Sequence, residues 1–563
     1  MSSSSQAQAV TPALVTQKAV KRLPRWALLL FCVAYVLPGM FGRDPWKGID
    51  IASFGHMWSL ADGQTSWLHP NVGGVLPVGG GILPYWLGGA FIALLDPWLD
   101  PAFAARIPFA LLLVSVMSLT WYATYHLART KAAQPLPLAF GGEALPQDYA
   151  RAVADGSVLA LIASLGLLQL GHETTPELLQ LAGGTLFMYG LAAAAVRPWQ
   201  SRLATLVCLP VMAASGSPTV AIELAAAGML ICALSDDAGM RSHMKWVAAS
   251  GLLAAALASA LSSTGLPGWA LRIDQWSGIG RTLRLFTWFT WPVLPLAALT
   301  VWHWRRQVAR RHIAVPLFSA LVGFAACVAM DANDRALLQA LPALAVLAAF
   351  ALPILQRSLG SAIDWFSVFF FTTAALLIWL HYGAMYTGVP AKMASNVAKL
   401  VPGYATDFSW PLLILGAVAT AAWLALVRWR TARQSHALWK SLVLPAGGVA
   451  LCWLLAMTLL LPPLDQSLSY RLLVNRIKRH VPVGTCIAAP NASTGLLTGL
   501  EYFGRYRVDG LTPPSKVPKA CPVLIYSLPA KQTAPTFPGW HRVARENQRT
   551  QNSESVAIYR RGS

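Results

Sequence analysis

The sequence predicts an all-α polytopic membrane protein of about 13 transmembrane helices, followed by a small C-terminal α/β domain. Of its 563 residues, 56% are hydrophobic and only 12% are charged, whereas a globular domain carries about 25% charged residues. Apolar runs recur and, with their weakly polar flanks, reach the ~20 residues needed to cross a bilayer. At that length in lipid, helices satisfy their own backbone hydrogen bonds.

The predicted spans are the apolar runs of sufficient length. They cover residues 24–41, 107–128, 155–171, 178–196, 203–215, 219–235, 246–263, 286–304, 313–330, 336–355, 363–383, 409–427 and 441–461. No small-residue cleavage site follows the first run, which indicates a retained helix and not a signal peptide. The Ser/Ala/Gln-rich residues 1–23 are predicted to form a disordered cytoplasmic tail. Residues 24–461 are the predicted membrane domain.

Lys and Arg are unequally distributed over the predicted loops. With the N-terminus inside, the inner loops carry more than twice as many of them as the outer loops, which is the bias of cytoplasmic loops. The N-terminus is therefore predicted to be cytoplasmic and the C-terminus outside. The same bias accounts for the formal net charge of +20. We expect no nucleic-acid partner, because we find no basic stripe with interleaved aromatic residues.

Two outer regions differ from the spans. The first outer loop, residues 42–106, contains half-apolar segments at 49–61 and 82–96, which are predicted to lie along the membrane surface. Residues 462–563 are predicted to form an outer α/β domain, with strands at 485–489, 523–527 and 556–559 and a helix at 494–503. Cys486 and Cys521 of this domain could form a disulfide in an oxidising compartment. The alternative is two free thiols in adjacent strands.

The candidate functional residues lie in the outer loops. They are the carboxylates Asp44, Asp50 and Glu177, the aromatic and imidazole groups Tyr85 and His56, and the cations Arg272, Arg281, Arg284 and Arg335. A carboxylate at a membrane surface can act as a general base or hold a divalent metal. Outer arginines oppose the charge bias, and they suit an anionic ligand such as phosphate. The alternative is that these residues cap helices and extend to the membrane interface.

Several short motifs resemble those of GT-C glycosyltransferases, which use polyprenyl-phosphate donors. The likeness is to the lipid A aminoarabinose transferase and protein O-mannosyltransferase superfamily. It covers nearly the whole chain, including the number of spans and the outer C-terminal domain. The matching segments are Asp50 with Phe54, Leu83-Pro84-Tyr85-Trp86-Leu87, Ala104-Ala105-Arg106-Ile107-Pro108, Thr175-Pro176-Glu177, and Arg335 before Leu338, Leu341 and Pro342.

The resemblance implies a bacterial inner-membrane enzyme. Such an enzyme transfers a sugar from undecaprenyl phosphate to a lipid or glycan acceptor of the cell envelope, such as lipopolysaccharide, on the periplasmic side. Asp50 would be the catalytic base, with Asp44 as a second carboxylate. The substrate-binding residues would be His56, Tyr85, Glu177, Arg272, Arg281, Arg284 and Arg335. Membrane lipids are the remaining expected partners.

The sequence departs from the family at two positions. Ile51 follows Asp50 where the family usually has Glu, and Gly79-Gly80-Gly81-Ile82 replaces a Glu-Lys-Pro-Pro segment. A divalent metal held by Asp44 and Asp50 is expected only if Asp44 replaces the missing carboxylate; otherwise no cofactor is expected. The glycines also leave open a non-catalytic GT-C-like subunit of envelope glycan assembly. A lipid or glycan transporter is the third reading, although the spans are nearly uncharged and we detect no internal repeat.

Overall fold

The fold is seen in a computed structural model that describes most of the chain. The described residues are 11–77, 81–138, 141–262, 278–400, 408–432, 437–529, 532–547 and 554–562. Arg272 and two of the three glycines noted above, Gly79 and Gly80, lie outside these residues.

The N-terminal half of the described chain is helical apart from short connections. Its helices are α1 (Arg25–Val36), α2 (Ile49–Ala61), α3 (Leu83–Leu95), α4 (Pro101–Ala128), α5 (Pro146–Ala163), α6 (Leu165–Leu170), α7 (Pro176–Ala193), α8 (Pro198–Ala214), α9 (Pro218–Ala233) and α10 (Ala238–Ser262). Five of them begin with proline, whose fixed φ suits the first helical position. Helices α2 and α3 lie where the two surface segments were predicted.

The second half of the helical region continues in the same way. Its helices are α11 (Ile279–Phe289), α12 (Val293–His303), α13 (Arg311–Ala329), α14 (Asp334–Leu337), α15 (Leu341–Ala351), α16 (Arg357–Thr387), α17 (Ala391–Leu400), α18 (Trp410–Ala432) and α19 (Lys440–Leu459). The centre of the bundle is formed by α5, α15 and α19, which are buried along most of their length, and α5 contacts both of the others. Helices that are apolar on nearly all sides, such as α15, belong in such a core.

Fewer helices qualify as spans than the thirteen predicted. Among the described residues, seven are long and apolar enough to cross a membrane, or eight if α11 and α12, bent by 95°, form one broken span. The other predicted spans fall on helices that are shorter or more polar, such as α1 with 12 residues. The polytopic helical fold class is confirmed. The number thirteen and the orientation of the termini stay predictions.

The C-terminal part contains both helices and a sheet, as predicted. Its elements are α20 (Leu461–Leu468), α21 (Arg471–Ile477), β1 (Cys486–Ala488), α22 (Thr494–Tyr502), β2 (Arg507–Asp509), β3 (Val523–Pro529), β4 (Trp540–Asn547) and β5 (Glu554–Arg561). The strand order is β2-β1-β3-β5-β4. The parallel pairs are β1 with β2 and with β3, and the antiparallel pairs are β5 with β3 and with β4. Strands β2 and β4 had not been predicted. The proposed domain boundary at 462 falls in the first turn of α20.

A disulfide lies within this part, and helix packing holds it against the preceding helical domain. A disulfide joins Cys486 to Cys521, whose Cα atoms are 4.5 Å apart. Helix α22 packs on α2 so closely that a Cβ at Gly55 would collide with Thr498. The Tyr502 ring lies edge-on to Phe54 at 4.9 Å. The C-terminal part therefore contacts the helix that carries Asp50.

Candidate functional site

Asp50 occupies the first turn of α2 and is buried, with 2% of its surface exposed. Gly48 precedes the helix with φ +98°, a conformation that side-chain-bearing residues rarely adopt. Asp50 Oδ2 accepts from the Trp46 amide at 3.0 Å and lies 3.4 Å from Arg43 Nη2. Its Oδ1 accepts from the amide and the hydroxyl of Thr174, at 2.8 and 2.9 Å. Both carboxylate oxygens are therefore occupied.

The surroundings of Asp50 keep it ionised. Burial alone would raise the pKa of Asp50, but the charges of Arg43 and Arg106 and the amides of Thr174 and Trp46 hold it below its usual value. Arg43 is also fully buried, donates to the His172 carbonyl at 3.0 Å and stacks over the Trp46 ring. Because a buried charge needs a partner, Arg43 and Asp50 depend on each other.

The loop between α6 and α7 brings two further carboxylates next to Asp50. The His172 ring anchors this loop, since its nitrogens lie within hydrogen-bond distance of the Tyr35 and Leu168 carbonyls. Thr175 is extended, as expected for a residue before proline. Pro176 then begins α7, which places Glu177 in the first helical turn. Glu173 and Glu177 thus lie on either side of the Thr174–Thr175 segment that contacts Asp50.

Arg335 reaches this loop from another part of the bundle. Asp331 and Ala332 both have positive φ, and this turn leads into α14. Asn333 caps α14 by accepting from the Arg335 amide at 2.9 Å. The Arg335 guanidinium lies 2.5 Å from Glu173 Oε2 and 3.7 Å from Glu177 Oε2. We call Arg43, Asp50, Glu173, Glu177 and Arg335 the Asp50–Arg335 network.

The two glutamates of the network differ in environment. Glu173 is buried, and burial together with the nearby Asp50 charge raises its pKa despite the Arg335 guanidinium. The Glu177 side chain is 17% exposed. Its Oε2 is itself buried and forms no hydrogen bond with another described residue, although it lies 3.7 Å from Arg335 Nη1. Among the network carboxylates, Glu177 has the most exposed side chain, since those of Asp50 and Glu173 are 2% and 3% exposed.

His56 and Tyr85 are brought together at the edge of the network. Their rings lie 5.2 Å apart in an edge-on arrangement. The Tyr85 hydroxyl interacts with Ser53 and with the charge of Glu177. Burial lowers the pKa of His56 to about 3, so it is neutral at physiological pH and cannot bind phosphate as a cation. Helix α3, which carries Tyr85, lies close to α2 because Gly88 leaves room for Met57.

The expected pairing of Asp44 with Asp50 is not seen. Asp44 is held instead by the C-terminal part: its oxygens accept from Arg471 Nε and Nη2, at 2.8 and 2.5 Å, and from the Ser469 hydroxyl at 2.8 Å. The Asp44 amide donates to Asp465 at 2.8 Å. We call these four residues the docking contact. Within the described part of the chain, no three His, Cys, Asp or Glu side chains gather as they would around a metal ion.

Of the three arginines predicted to lie in the fourth outer loop, the structure describes Arg281 and Arg284. Arg281 and Arg284 are exposed on α11, which contacts α14, the helix of Arg335. Neither forms a salt bridge with another described residue. Arg272 lies outside the described residues. The structure therefore groups Asp50, Glu177, Arg335, His56 and Tyr85, and leaves Asp44, Arg281 and Arg284 outside the network.

Three residues of the site were not predicted as such. Arg43 and Thr174 hold Asp50, and Glu173 binds Arg335. Arg43 and Glu173 are charged residues of the predicted first and second outer loops, and this was the available signal for them. Thr174 carries no pattern that separates it from ordinary loop residues, since its role depends on contacts between distant segments.

Similarity to known proteins is found in structure and not in sequence. No protein-family model matches the chain, and no curated protein matches it significantly. Two crystal structures of ArnT from Cupriavidus metallidurans share its fold. The one bound to undecaprenyl phosphate has a TM-score of 0.62 at 14% identity, covering 95% of this chain and 98% of that one. The apo structure has a TM-score of 0.57 at 15% identity, covering 95% and 96%. The predicted GT-C likeness is thus confirmed at the level of fold.

Proposed function

We propose that this protein is a membrane glycosyltransferase, which moves a sugar from a polyprenyl-phosphate donor to a hydroxyl group of a lipid or glycan acceptor. One observation carries the proposal: Arg335 and the partly open Glu177 lie together in a fold that, in ArnT, holds undecaprenyl phosphate. A guanidinium binds phosphate and a carboxylate accepts a proton. These are the two groups that glycosyl transfer from a lipid phosphate requires.

The transfer step would proceed as follows. The acceptor oxygen forms a bond to the anomeric carbon while the bond from that carbon to the phosphate oxygen breaks. The bonding electrons leave with the polyprenyl phosphate, and the acceptor proton passes to a carboxylate. We assign this proton to Glu177, because its side chain is the most exposed of the three network carboxylates and lies beside Arg335. The leaving phosphate gains negative charge, which Arg335 would stabilise.

Glu173 would control the availability of Arg335. The Glu173 carboxylate forms an ion pair with the Arg335 guanidinium, with 2.5 Å between Oε2 and Nη2. A phosphate that binds Arg335 therefore has to compete with this carboxylate for the guanidinium. Burial raises the pKa of Glu173, so this carboxylate takes up a proton more readily than an exposed one. A protonated Glu173 binds a guanidinium less strongly, because the charge attraction is lost. An approaching phosphate would then take over Arg335.

The sequence indicated Asp50 as the catalytic base. We propose instead that its main role is to position neighbouring residues. Its four donors and its lowered pKa leave it ionised but weakly basic. We propose that it positions Arg43 and the loop of Thr174, and thereby Glu173 and Glu177. We derive no step that uses a metal, since Asp44 and Asp50 have separate partners. The periplasmic site and the bacterial inner membrane are parts of this proposal.

Binding of the lipid phosphate tests the proposal without knowledge of the sugar. The purified full chain would be titrated with undecaprenyl phosphate and with undecaprenol, and bound lipid would be counted by native mass spectrometry. We expect the phosphate form to bind at least about tenfold more tightly, because it adds a charge-assisted contact. Arg335→Gln should remove this preference. Arg357→Gln removes an arginine outside the network and serves as the control. Equal binding of the two lipids by the wild-type protein would refute the donor assignment.

A further inference from the structure

A large cavity lies far from the Asp50–Arg335 network, between α1, α4 and α5. It has a volume of about 540 Å³. Arg106, in the second turn of α4, is close enough to Asp50 to lower the pKa of that carboxyl. Tyr125, near the other end of α4, lines the cavity. At 1.5 Å per residue, these two positions are about 28 Å apart along the helix. The charged end of the cavity is therefore well separated from the network, although Val114 at its other end is about 12 Å from Arg106 along α4. We call it the distal cavity.

The lining of the distal cavity changes from charged to apolar along its length. Helices α1 and α4 run antiparallel along it, so that Arg25, the first residue of α1, lies at the same end as Tyr125. Seven residues further along α1 is Cys32, and the corresponding stretch of α4 contributes Val114 and Met117. The distance from Tyr125 to Val114 along α4 is about 16 Å. This gradient suits a molecule with a polar head and an apolar tail.

The charged end of the distal cavity is cationic. Arg22, Arg25 and Arg151 line it, and Asp155 is its single acidic lining residue. Asp155 is buried and accepts from Trp121 Nε1 at 2.8 Å. Arg22 is bound to Asp148 at 2.8 Å, whereas Arg25 and Arg151 form no salt bridge within the described chain. Two arginines against one engaged carboxylate leave an excess of positive charge.

Exposed side chains line the cavity along α1 and α4. Leu29, Val114 and Tyr122 are 63%, 44% and 52% exposed. Helix α4, which carries two of them, is long and apolar enough to cross the membrane. Its exposed side chains would therefore face acyl chains. Trp121 and Tyr125 stack at 5.3 Å at the charged end of the cavity, and aromatic rings with polar atoms suit the headgroup level of a bilayer.

We propose that the distal cavity binds an anionic glycerophospholipid of the adjacent leaflet. Its phosphodiester would lie between Arg25 and Arg151, and one acyl chain would follow α4 toward Val114. The charge excess at one end and the exposed apolar surface at the other end complement such a lipid. The lipid would fill the space between α1 and the central helix α5, and thus support the packing of the first span against the bundle.

Native mass spectrometry of the purified full chain tests this proposal with phosphatidylglycerol, phosphatidylcholine and inorganic phosphate as probes. We expect phosphatidylglycerol to be retained at about tenfold lower concentration than phosphatidylcholine, since each nearby cation strengthens binding of anionic lipid severalfold. The double change Arg25→Gln with Arg151→Gln should abolish this preference. Arg241→Gln with Lys245→Gln removes the same charge from exposed positions of α10 and should preserve it.

A second variant separates a lipid from a free anion and keeps both arginines. Val114→Trp fills the apolar part of the cavity, so it should reduce retention of phosphatidylglycerol severalfold. Equal retention of the two phospholipids by the wild-type protein would overturn the proposal, as would an equal loss in the α10 control. A third outcome would also overturn the proposal. If inorganic phosphate displaces the lipid fully and Val114→Trp retains phosphatidylglycerol as wild type does, the cavity is a simple anion site.

Discussion

Asp44 and Asp50 are six residues apart in sequence, yet they contact different regions of the molecule. Asp50 is bound to Arg43 and Thr174 inside the membrane domain, and both partners of this ion pair are buried. Asp44 is bound to Arg471 of the C-terminal part, and that arginine side chain is 55% exposed. Two carboxylates that were indistinguishable by type and location therefore have unlike tasks: one organises the network, and the other joins two parts of the chain.

The difference in burial between the two ion pairs predicts a difference in how much each pair stabilises the folded protein. An exposed ion pair contributes about 0–1 kcal/mol, because water screens it. Removing one partner of a buried pair costs about 3–5 kcal/mol, because the other charge remains without compensation. Changes at the Asp50–Arg335 network should therefore have large effects on stability, and changes at the docking contact should have small ones.

The largest effect is expected for Asp50→Asn. The substitution leaves the buried Arg43 without a counter-charge and turns an amide group toward donors that need an acceptor. We expect the free energy of unfolding to fall by about 3–5 kcal/mol. Thermal unfolding of the purified protein in detergent measures it. Asp50→Glu keeps the charge and serves as the control. Unfolding of Asp50→Asn at the wild-type temperature would show that Arg43 does not depend on Asp50.

Loss of the disulfide should destabilise the protein somewhat less than Asp50→Asn. The effect should be confined to the C-terminal part. Cys486 and Cys521 close a loop of 35 residues in sequence. Replacing both by serine should lower the stability of the C-terminal sheet by about 2–4 kcal/mol, since the unfolded chain gains conformational freedom. Limited proteolysis of the C-terminal part, compared between wild-type and double-serine protein, reports this change. Two titratable thiols at these positions in protein isolated without reductant would contradict the bond.

Glu501 makes the contact between the C-terminal part and the first loop sensitive to pH. Glu501 is buried on α22, and burial raises its pKa to about 7. Because the folded pKa is above the unfolded one, its stabilising contribution is present below the unfolded pKa and is lost as pH rises through about 7. Between about pH 5 and pH 8 we expect a loss of about 1–3 kcal/mol. Thermal unfolding across this range measures it, and Glu501→Gln should flatten the profile.

The smallest effect is expected for Asp44→Asn. Asparagine keeps the shape of the side chain, and the Arg471 side of the lost ion pair is 55% exposed while Asp44 is 13% exposed, so stability should change by about 1 kcal/mol or less. Addition of a chelator should not alter donor binding by wild-type protein, because Asp44 and Asp50 do not form a common site. Thermal unfolding of Asp44→Asn checks the first statement, and undecaprenyl-phosphate binding and unfolding of wild-type protein with and without chelator check the second. Strong destabilisation by the chelator would instead indicate a metal shared by the two carboxylates.

The fold class could be predicted from the sequence because its signals are local. Apolar length identifies helices wherever they are continuous, and the surface segments and the strands β1, β3 and β5 also carried visible patterns. The count of spans was less accessible, since α5 contains Asp148, Arg151 and Asp155 and yet lies in the core. Strands β2 and β4 were missed because their sequences are polar, with Arg507–Asp509 and Trp540–Asn547 rich in charged residues.

The candidate site was predictable only in part. Asp50, Glu177 and Arg335 stood out as charged residues beside apolar spans, and the structure brings them together. The partners of Asp44 could not be predicted, because Arg471 is more than 400 positions away in sequence and no local pattern links the two. Likewise, the importance of Thr174 depends on an amide and a hydroxyl that reach Asp50 from another loop.

The most direct test of the proposed function is sugar transfer itself in matched variants. Purified wild-type, Glu177→Gln and Asp44→Asn proteins would receive labelled polyprenyl-phosphate sugars and an envelope lipid extract, and movement of label to the extract would be followed over time. We predict that Glu177→Gln transfers about 10²-fold more slowly, the usual effect of losing a general base, and that Asp44→Asn stays within about threefold of wild type. Full activity of Glu177→Gln, or equal loss in Asp44→Asn, would contradict the assignment of the reaction to the Asp50–Arg335 network.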